Sequence, residues 1–247
     1  LDIRQILNGA NYNVVQQFDI SSREFSEQFS LLYETNSDKI QSVALYDQKG
    51  NLIASEPVAA EKKNVRVQTQ EWFKNAEDVI ENIHFSTPHI QELFEDGSYR
   101  YQWVVSLSRY VDVNKGEIPE TGILLLDMKY SVIRDVMKQI NDCSGGIYYY
   151  LISQDGEMIY HPRGTELNRG LFEENSLEAE KYEDGTYEIR SNGQNETVIV
   201  RSVAYTGWKM IGVVPESVQA ANYKNFRYYV FATILVLLVM LLEGNQL

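Results

Sequence analysis

Residues 42–53 read Ser42-Val-Ala-Leu-Tyr-Asp-Gln-Lys-Gly50-Asn-Leu-Ile53, and residues 148–159 read Tyr148-Tyr-Tyr-Leu-Ile-Ser-Gln-Asp-Gly156-Glu-Met-Ile159. Each stretch is an apolar run, a polar turn that ends in glycine and a second short apolar run, which predicts a β-hairpin. Two further stretches are similar and follow in the same order, Thr121-Gly-Ile-Leu-Leu-Leu-Asp127 and Thr206-Gly-Trp-Lys-Met-Ile-Gly212. The repeats therefore predict two related modules in tandem.

The segments between the repeated strands predict a mixed fold within each module. Module one is expected to contain a helix over residues 69–80, a long strand over 99–110 and a helix over 131–141. Module two is expected to contain a helix over 173–181 and strands over 187–190, 194–203 and 208–214. The fold class is therefore α+β, with two antiparallel sheets flanked by helices.

The first 40 residues carry a helical pattern. Apolar side chains recur at steps of three, four or seven, at Ile3, Leu7, Ala10, Val14, Phe18, Phe25, Phe29 and Leu32. Ser21-Ser-Arg-Glu24 predicts a capping box at which the helix restarts after a bend. We expect this long amphipathic helix to dimerise along the face that carries Leu7, Val14 and Phe18.

The end of the chain is apolar all round. Residues from Tyr228 to Leu242 carry no charge. Together with Phe226 and Arg227, a helix of about 17 residues would be roughly 25 Å long, against about 30 Å for the hydrocarbon core of a bilayer. This predicts the start of a transmembrane helix, with a buried C-terminal core helix as the alternative.

Composition excludes several functions. The formal net charge of −13 is the opposite of the basic surface that nucleic-acid binding requires. The three histidines, His84, His89 and His161, are too scattered for a metal site, and the single cysteine, Cys143, cannot form an intramolecular disulfide. The sequence has no glycine-rich phosphate loop, nucleophile elbow or His-Glu-x-x-His motif. We therefore expect no catalytic residue, no metal and no cofactor.

Module one offers the groups that a small-molecule site needs, which are aromatic walls and a few placed polar side chains. We expect the site residues to be Trp72, Phe73, Tyr101, Trp103, Ser106, Ser108, Arg109 and Asp127. Asp127 ends an apolar strand, where an amine or a pair of sugar hydroxyls would satisfy its carboxylate. The alternatives are that Trp72 and Trp103 belong to the core and that Arg109 is only the ion-pair partner of Asp127. In module two we expect His161 and Trp208 to pack the module, without a second ligand site.

The long N-terminal helix, the two hairpin-led modules and the strand from Gly122 to Asp127 resemble the double Cache family of PAS-like (PDC) extracellular sensor domains. Three segments most resemble sensor histidine kinases of Gram-positive bacteria: Trp72-Phe73, His84-Phe-Ser86-Thr-Pro88-His and Trp103-Val-Val-Ser-Leu-Ser-Arg109. The resemblance implies a ligand-sensing domain on the extracellular side of the cell membrane, held by flanking membrane helices. It also implies two-component signal transduction by a homodimer. This portion would not be an enzyme, whereas the full-length protein would be an ATP-dependent histidine kinase.

The resemblance also divides the chain. It implies an N-terminal signalling helix over residues 1–40, a membrane-distal module over 41–143, a membrane-proximal module over 144–216, and an exit helix with the transmembrane segment over 217–247. Two alternatives keep the same ectodomain but place it on a methyl-accepting chemoreceptor or on a cyclic-dinucleotide enzyme. A third alternative is a membrane-anchored binding protein with no signalling output.

In the double Cache family the membrane-distal module binds the ligand, here an unidentified small molecule. Amino-acid-binding members carry a Tyr, an Arg two residues before a Trp-Tyr pair, an Ala three residues after it, and a later Asp. The matching positions here are Trp72, Ala76 and Asp127, with Phe73 for the Tyr of the pair, Gln70 for the Arg and Val65 for the first Tyr. Because Gln70 has no charge with which to hold a carboxylate, the resemblance does not extend to an α-amino acid ligand.

Overall fold

The computed structural model describes residues 3–78, 83–95, 101–116, 118–191, 194–203 and 206–218. These residues form two compact units. Unit 1 takes its residues from Leu1–Val136, Glu157–Ile159 and Val203–Trp208, and unit 2 from Met137–Gly156, Tyr160–Ser202 and Lys209–Leu247. The predicted α+β fold with two antiparallel sheets is confirmed.

Unit 1 is built on a six-stranded antiparallel sheet. Its helices are α1 (Ile3–Gly9), α2 (Arg23–Asn36) and α3 (Glu71–Asp78), with a π-helical turn at Ala10–Val15 and a 3-10 turn at Val67–Thr69. Its strands are β1 (Ile40–Asp47), β2 (Leu52–Glu56), β3 (His84–Phe85), β4 (His89–Ile90), β5 (Trp103–Lys115) and β6 (Ile118–Lys129). The strand order is β2-β1-β6-β5-β3, and β4 also pairs with β5. Helix α4 (Tyr130–Asp142) follows β6.

Both faces of this sheet are buried. One face packs against α3 in a single apolar cluster that includes Ala44, Tyr46, Trp72, Phe73, Ala76, Ile123 and Leu125. The N-terminal elements also cover the sheet, because the π-helical turn contacts β5 and α2 contacts β1 and β2. Consecutive residues of β5 from Val104 to Ser108 are consequently all buried. Polar side chains on β5 therefore lie in the interior, where they need partners.

The N-terminal helix is interrupted at the predicted bend, between α1 with its π-helical turn and α2. The capping residue of α2 is Ser22, whose Oγ accepts a hydrogen bond from the backbone N–H of Phe25 at 3.0 Å. The capping box predicted from Ser21 is therefore misplaced by one residue. Leu7 and Val14 are buried inside unit 1. They therefore do not present the apolar face that was predicted for dimerisation.

Both repeated hairpins are present. In the first, β1 pairs with β2, and Gly50 closes the turn with its N–H donating to the carbonyl oxygen of Asp47 at 3.0 Å. In the second, the N–H of Gly156 donates to the carbonyl oxygen of Ser153 at 3.1 Å. The two glycines have φ angles of +78° and +79°, and residues with a Cβ rarely adopt such backbone angles. The glycine that ends each polar turn is thus required by the backbone.

Unit 2 is built on a five-stranded sheet in the order β8-β7-β11-β10-β9. The strands are β7 (Tyr148–Ile152), β8 (Met158–Tyr160), β9 (Gly185–Ser191), β10 (Gln194–Val203) and β11 (Trp208–Val214). Two short helices, α5 (Gly164–Asn168) and α6 (Ser176–Ala179), lie in the segment between β8 and β9. The helix predicted over 173–181 is shorter than expected because it begins only after Asn175, whose side chain accepts the N–H of Glu178.

The transmembrane segment predicted from Tyr228 to Leu242 lies outside the described residues. Within the part of the chain that the structure describes, no helix is long and apolar enough to cross a membrane.

Gly122 of β6 is a point of close approach between strands. It lies opposite Asp47 of β1 and Val111 of β5. A Cβ atom at this position would meet the backbone carbonyl oxygen of Tyr46 and would lie 3.2 Å from Cγ2 of Val113. A backbone oxygen within a paired strand cannot move aside cheaply, so the glycine is needed for the sheet to close.

We expect Gly122→Ala to destabilise the protein by about 1–3 kcal/mol, the usual range for overpacking a core. The matched control is Gly9→Ala, because Gly9 is helical and a Cβ there would meet, among the described residues, a single side-chain atom within 4 Å, Nδ2 of Asn13 at 4.0 Å. That change should be neutral or stabilise by up to about 1 kcal/mol. Urea unfolding followed by tryptophan fluorescence measures both, and equal stability of the two variants would contradict the assignment of Gly122.

Candidate functional site

The carboxylate of Asp127 is buried in the middle of the unit 1 sheet. The strand register places Asp127 of β6 directly opposite Ser42 of β1 and Ser106 of β5. Oγ of Ser42 donates to Oδ2 of Asp127 at 3.0 Å, and Oγ of Ser106 donates to Oδ1 at 2.6 Å. The residue is only 1% exposed. These three side chains form a polar row on the sheet face that carries α3.

Helix α3 covers this face with two aromatic side chains. Trp72 and Phe73 are both buried, and their rings contact each other edge to face at 5.7 Å between centroids. Trp72 also lies 5.5 Å from the ring of Tyr46 on β1. Oγ of Ser108 donates to the backbone carbonyl oxygen of Trp72 at 2.7 Å. Ser108 therefore links α3 to the sheet, and its hydroxyl proton is already used in that hydrogen bond.

His89 extends the polar row from β4. Its Nε2 lies 3.2 Å from Oγ of Ser106, and its Nδ1 lies 2.9 Å from the carbonyl oxygen of Thr87. A carbonyl oxygen only accepts, so Nδ1 carries a proton. The histidine is thus one hydrogen bond away from the Asp127 carboxylate, through Ser106. His89 ends the segment His84-Phe-Ser86-Thr-Pro88-His, which is part of the predicted resemblance, but its position near Asp127 depends on the pairing of β4 with β5.

Two more polar groups lie on this face. The buried Nε2 of His84 makes no hydrogen bond with a described residue, and the buried hydroxyl of Tyr46 makes none within 3.5 Å, although the carboxylate of Glu61 lies near it. Tyr46 shares the strand face of Ser42, and His84 of β3 lies directly opposite Ser108. Burial raises the pKa of Tyr46, and the nearby charges of Glu61 and Asp127 raise it further. Buried polar groups usually have a partner, so the Nε2 of His84 is unusual in the interior of unit 1.

The charge of Asp127 is not balanced by a lysine or arginine within the described residues. Burial raises the pKa of Asp127, whereas the hydrogen bonds from Ser106 and Ser42 and the nearby His89 act in the opposite direction. In the same part of the chain, no three His, Cys, Asp or Glu side chains come together as metal ligands.

The structure brings together five of the eight predicted site residues. Trp72, Phe73, Ser106, Ser108 and Asp127 lie on one face of unit 1. Tyr101 precedes β5 and is 80% exposed, and Trp103 is the first residue of β5 and is 52% exposed. Trp103 and Ser106 are three residues apart, so their side chains leave opposite faces of the strand. Neither aromatic side chain forms a wall of this site, and Trp103 does not belong to the core either.

Arg109 lies on the opposite face of the sheet from Asp127. Its guanidinium donates to Oδ1 of Asn8 at 3.0 Å and to the hydroxyl of Tyr12 at 2.9 Å. The predicted ion pair between Arg109 and Asp127 is therefore wrong. The physical reason is the alternation of side chains, because Ser106 shares the face of Asp127 and Arg109 is three residues further along. Arg109 instead joins β5 to the N-terminal helical segment.

The fold found here also occurs in solved structures of bacterial receptors. The ligand-binding domain of the Pseudomonas aeruginosa PAO1 amino acid chemoreceptor PctB, in complex with L-Arg, has a TM-score of 0.60 and 17% identity, covering 92% of this chain and 85% of that one. The corresponding PctC domain with GABA has a TM-score of 0.57 and 16% identity, covering 86% and 88%. That of Pseudomonas fluorescens CtaA with L-isoleucine has a TM-score of 0.58 and 14% identity, covering 86% and 83%. These identities show the fold alone.

The sequence also matches a protein family directly. No curated protein matches the chain significantly. A family model described as Cache domain, of the double Cache type, matches residues 2–222. This confirms the predicted resemblance over nearly the whole chain. The chain belongs to the Cache domain family.

Proposed function

We propose that this chain is the ligand-sensing ectodomain of a membrane receptor, and that unit 1 binds a small molecule through a protonated amine on Asp127. The observation that carries the proposal is the buried carboxylate that no lysine or arginine of the described residues reaches. Taking a carboxylate out of water costs several kcal/mol unless a charge and hydrogen bonds offset that loss. Two serine hydroxyls and His89 offset it in part. An ammonium group would supply both the charge and further hydrogen bonds.

The other side chains on the site face suit a ligand with apolar and polar parts. Trp72 and Phe73 of α3 offer aromatic surface on the same face of the sheet. His84 offers a ring nitrogen without a partner among the described residues, and Tyr46 offers a buried hydroxyl near Glu61. Such a mixture is typical of small-molecule sites. The ligands named with the solved relatives, L-Arg, GABA and L-isoleucine, all carry a protonated amine, which supports the proposal.

The ligand class follows from two residues of amino-acid-binding relatives that this chain lacks. Gln70 and Val65 stand where amino-acid-binding relatives carry an Arg and a Tyr. An uncharged amide does not hold a carboxylate with the two charge-assisted bonds of a guanidinium. We therefore infer an amine without a neighbouring carboxylate in place of an α-amino acid.

We place this ectodomain outside the cytoplasmic membrane on a homodimeric sensor histidine kinase of a two-component system. The similarity of the segments around Trp72 and Ser106 to sensor kinases supports that output. The solved relatives are chemoreceptors, which supports a chemoreceptor as the alternative. The same proposal includes module boundaries at residues 40, 143 and 216 and a transmembrane segment that begins at Tyr228. Since Leu7 and Val14 are buried, a dimer would use other surfaces.

Asp127→Asn should abolish binding of the amine. We would screen the 247-residue chain by thermal shift against primary amines, amino acids, sugars and carboxylates. Ligand at a hundred times its dissociation constant adds about 2.7 kcal/mol of stability, which is readily detected. The control is Asp112→Asn, because Asp112 is an exposed aspartate of the same sheet. Amine binding that persists in Asp127→Asn, or that is lost equally in the control, would contradict the assignment.

Asp127→Asn should also stabilise the ligand-free protein near neutral pH. A carboxyl whose pKa is raised in the folded state contributes stability at low pH that is lost as the pH rises through that pKa. Each unit of increase corresponds to about 1.4 kcal/mol. Asp127→Asn has no carboxyl at this position and does not lose this stability as the pH rises. The difference in free energy of unfolding between the variant and the parent should therefore be largest near neutral pH and should shrink in the acidic range. Urea unfolding at both pH values measures it, and an advantage that grows on acidification would contradict the argument.

The signalling output can be tested on the full-length receptor in membrane vesicles. If the receptor is a histidine kinase, radiolabelled ATP should label the receptor on histidine, and the amine identified in the screen should change the labelling rate. Asp127→Asn should remove the response to the amine and leave basal labelling intact. Absence of labelling on the receptor chain itself would favour the chemoreceptor alternative.

A further inference from the structure

The outer edge of strand β2 in unit 1 is open. The sheet ends at β2, and among the described strands β2 pairs with β1 alone. All five residues of β2 are half-buried, whereas β1 is buried along most of its length. One row of backbone N–H and C=O groups of β2 therefore has no partner strand in the part of the chain that the structure describes. Such an edge can pair with a strand of another chain.

A cavity of about 330 Å³ follows this edge. It is lined by Phe25, Ser26 and Phe29 of α2, by all five residues of β2, and by Val58 and Ala59. Successive side chains of a strand point to opposite faces of the sheet, so a cavity over one face is lined by alternate residues. A lining of five consecutive residues indicates a cavity that lies along the edge of the strand.

The strand register agrees with this position, because both faces of β2 reach the cavity. Ser55 lies directly opposite Ala44, which belongs to the apolar cluster beneath α3. The side chain of Glu56 leaves the opposite face, where its Oε1 accepts a hydrogen bond from Oγ of Ser30 on α2. Ser55 and Glu56 both line the cavity. The cavity therefore extends from the α2 face to the α3 face, past the free backbone groups of β2.

The α2 side of the cavity has an apolar floor. Phe25 and Phe29 are each 2% exposed, and their stacked rings lie 5.4 Å apart between centroids. Val58 stands at the rim and is 85% exposed, the highest value among the large apolar residues that the structure describes. An apolar side chain placed in the cavity would remove the surface of Val58 from water, which favours association.

One end of the cavity is negatively charged. The carboxylate of Glu56 accepts from Ser30, but no lysine or arginine of the described residues forms an ion pair with it. The formal net charge of the whole chain is −13. Complementary charge therefore favours a partner with a basic side chain at this end, and repulsion disfavours a second copy of the same acidic chain.

We propose that the cavity along β2 is a docking site for an extended, basic peptide segment of a partner protein. The segment would pair with the open edge of β2 as an additional strand. Its alternate side chains would fill the cavity above Phe25 and Phe29, and a lysine or arginine would bind Glu56. Only a polypeptide repeats N–H and C=O groups at the spacing that the edge of β2 presents. The site shares no residue with the amine site at Asp127 and does not depend on it.

The probe is a fluorescently labelled synthetic peptide, Lys-Val-Thr-Val-Thr-Lys with both ends blocked, which alternates apolar and polar residues between two lysines. It is titrated with the 247-residue chain that carries Asp127→Asn, so that the amine site of unit 1 does not contribute. Fluorescence anisotropy should show saturable binding. The absence of saturable binding at millimolar concentration would overturn the proposal.

A second peptide separates strand pairing from attraction between side chains. It has the same side chains but carries N-methyl groups on a neighbouring valine and threonine, which blocks both edges of the peptide strand. Because two or more backbone hydrogen bonds are lost, it should bind about tenfold more weakly. Equal affinity of the two peptides would mean that the cavity binds side chains alone, and would overturn the proposal.

Glu56→Gln should weaken binding of the first peptide by about three- to fivefold, the usual effect of a partly exposed ion pair. Glutamine keeps the size of the side chain and an acceptor for Ser30, so the fold should be retained, which the thermal midpoint checks. The matched control is Glu34→Gln, an exposed glutamate of α2 that does not line the cavity. Equal weakening in the two variants would contradict the role of Glu56.

Amide hydrogen exchange locates the peptide without any variant at the site. The first peptide should slow exchange at β2 by about tenfold and leave exchange at β9 in unit 2 unchanged. Protection at β3 and β4, on the other side of the sheet, without protection at β2 would overturn the assignment. Sedimentation equilibrium tests the remaining occupant, because a dimer that the peptide dissociates would place a second copy on this edge and overturn the proposed partner.

Discussion

The antiparallel pairing of β6 with β1 on one side and with β5 on the other is the constraint on which unit 1 depends. Residues directly opposite each other in such a sheet share a face, so this register sets Ser42, Asp127 and Ser106 in one row beneath α3. Leu124 and Leu126 of β6 point to the other face, where the N-terminal helices lie. A slip by one residue would exchange the two sets. The aspartate would then lose both serines and be buried among apolar side chains.

This register buries polar side chains at the candidate site, which lowers the stability of unit 1. A sheet covered on both faces normally buries apolar side chains along its central strands. Asp127, Ser106 and Ser108 depart from that pattern in the middle of otherwise apolar strands. Ser108 stabilises the unit directly, because it bonds the backbone of α3. Asp127 does not, because burial disfavours its charged form. Such conflict between stability and polarity is typical of functional sites.

The two units share a hairpin but use their buried carboxylates differently. In unit 1 the carboxylate belongs to a central strand, and a histidine reaches it through Ser106. In unit 2 Glu174 comes from the segment that covers the sheet, and the histidine bonds it directly. The proton positions differ as well, since His89 donates through Nδ1 whereas His161 accepts there. Related backbones therefore present different chemistry, which follows from the residues placed on them.

The sequence by itself determined the local elements and the family of this protein. The hairpins follow from Gly50 and Gly156, which need positive φ, and the bend before α2 follows from a serine cap, although the cap is Ser22 and not Ser21. The helix that carries Trp72 and Phe73 and the apolar strand that contains Asp127 also follow from the sequence. Only the tertiary structure decided that Arg109 and Trp103 turn away from Asp127, and that Tyr46, His84 and His89 turn toward it. Those directions depend on pairing between distant strands, and a pattern along one strand cannot show which of its two faces meets a given partner.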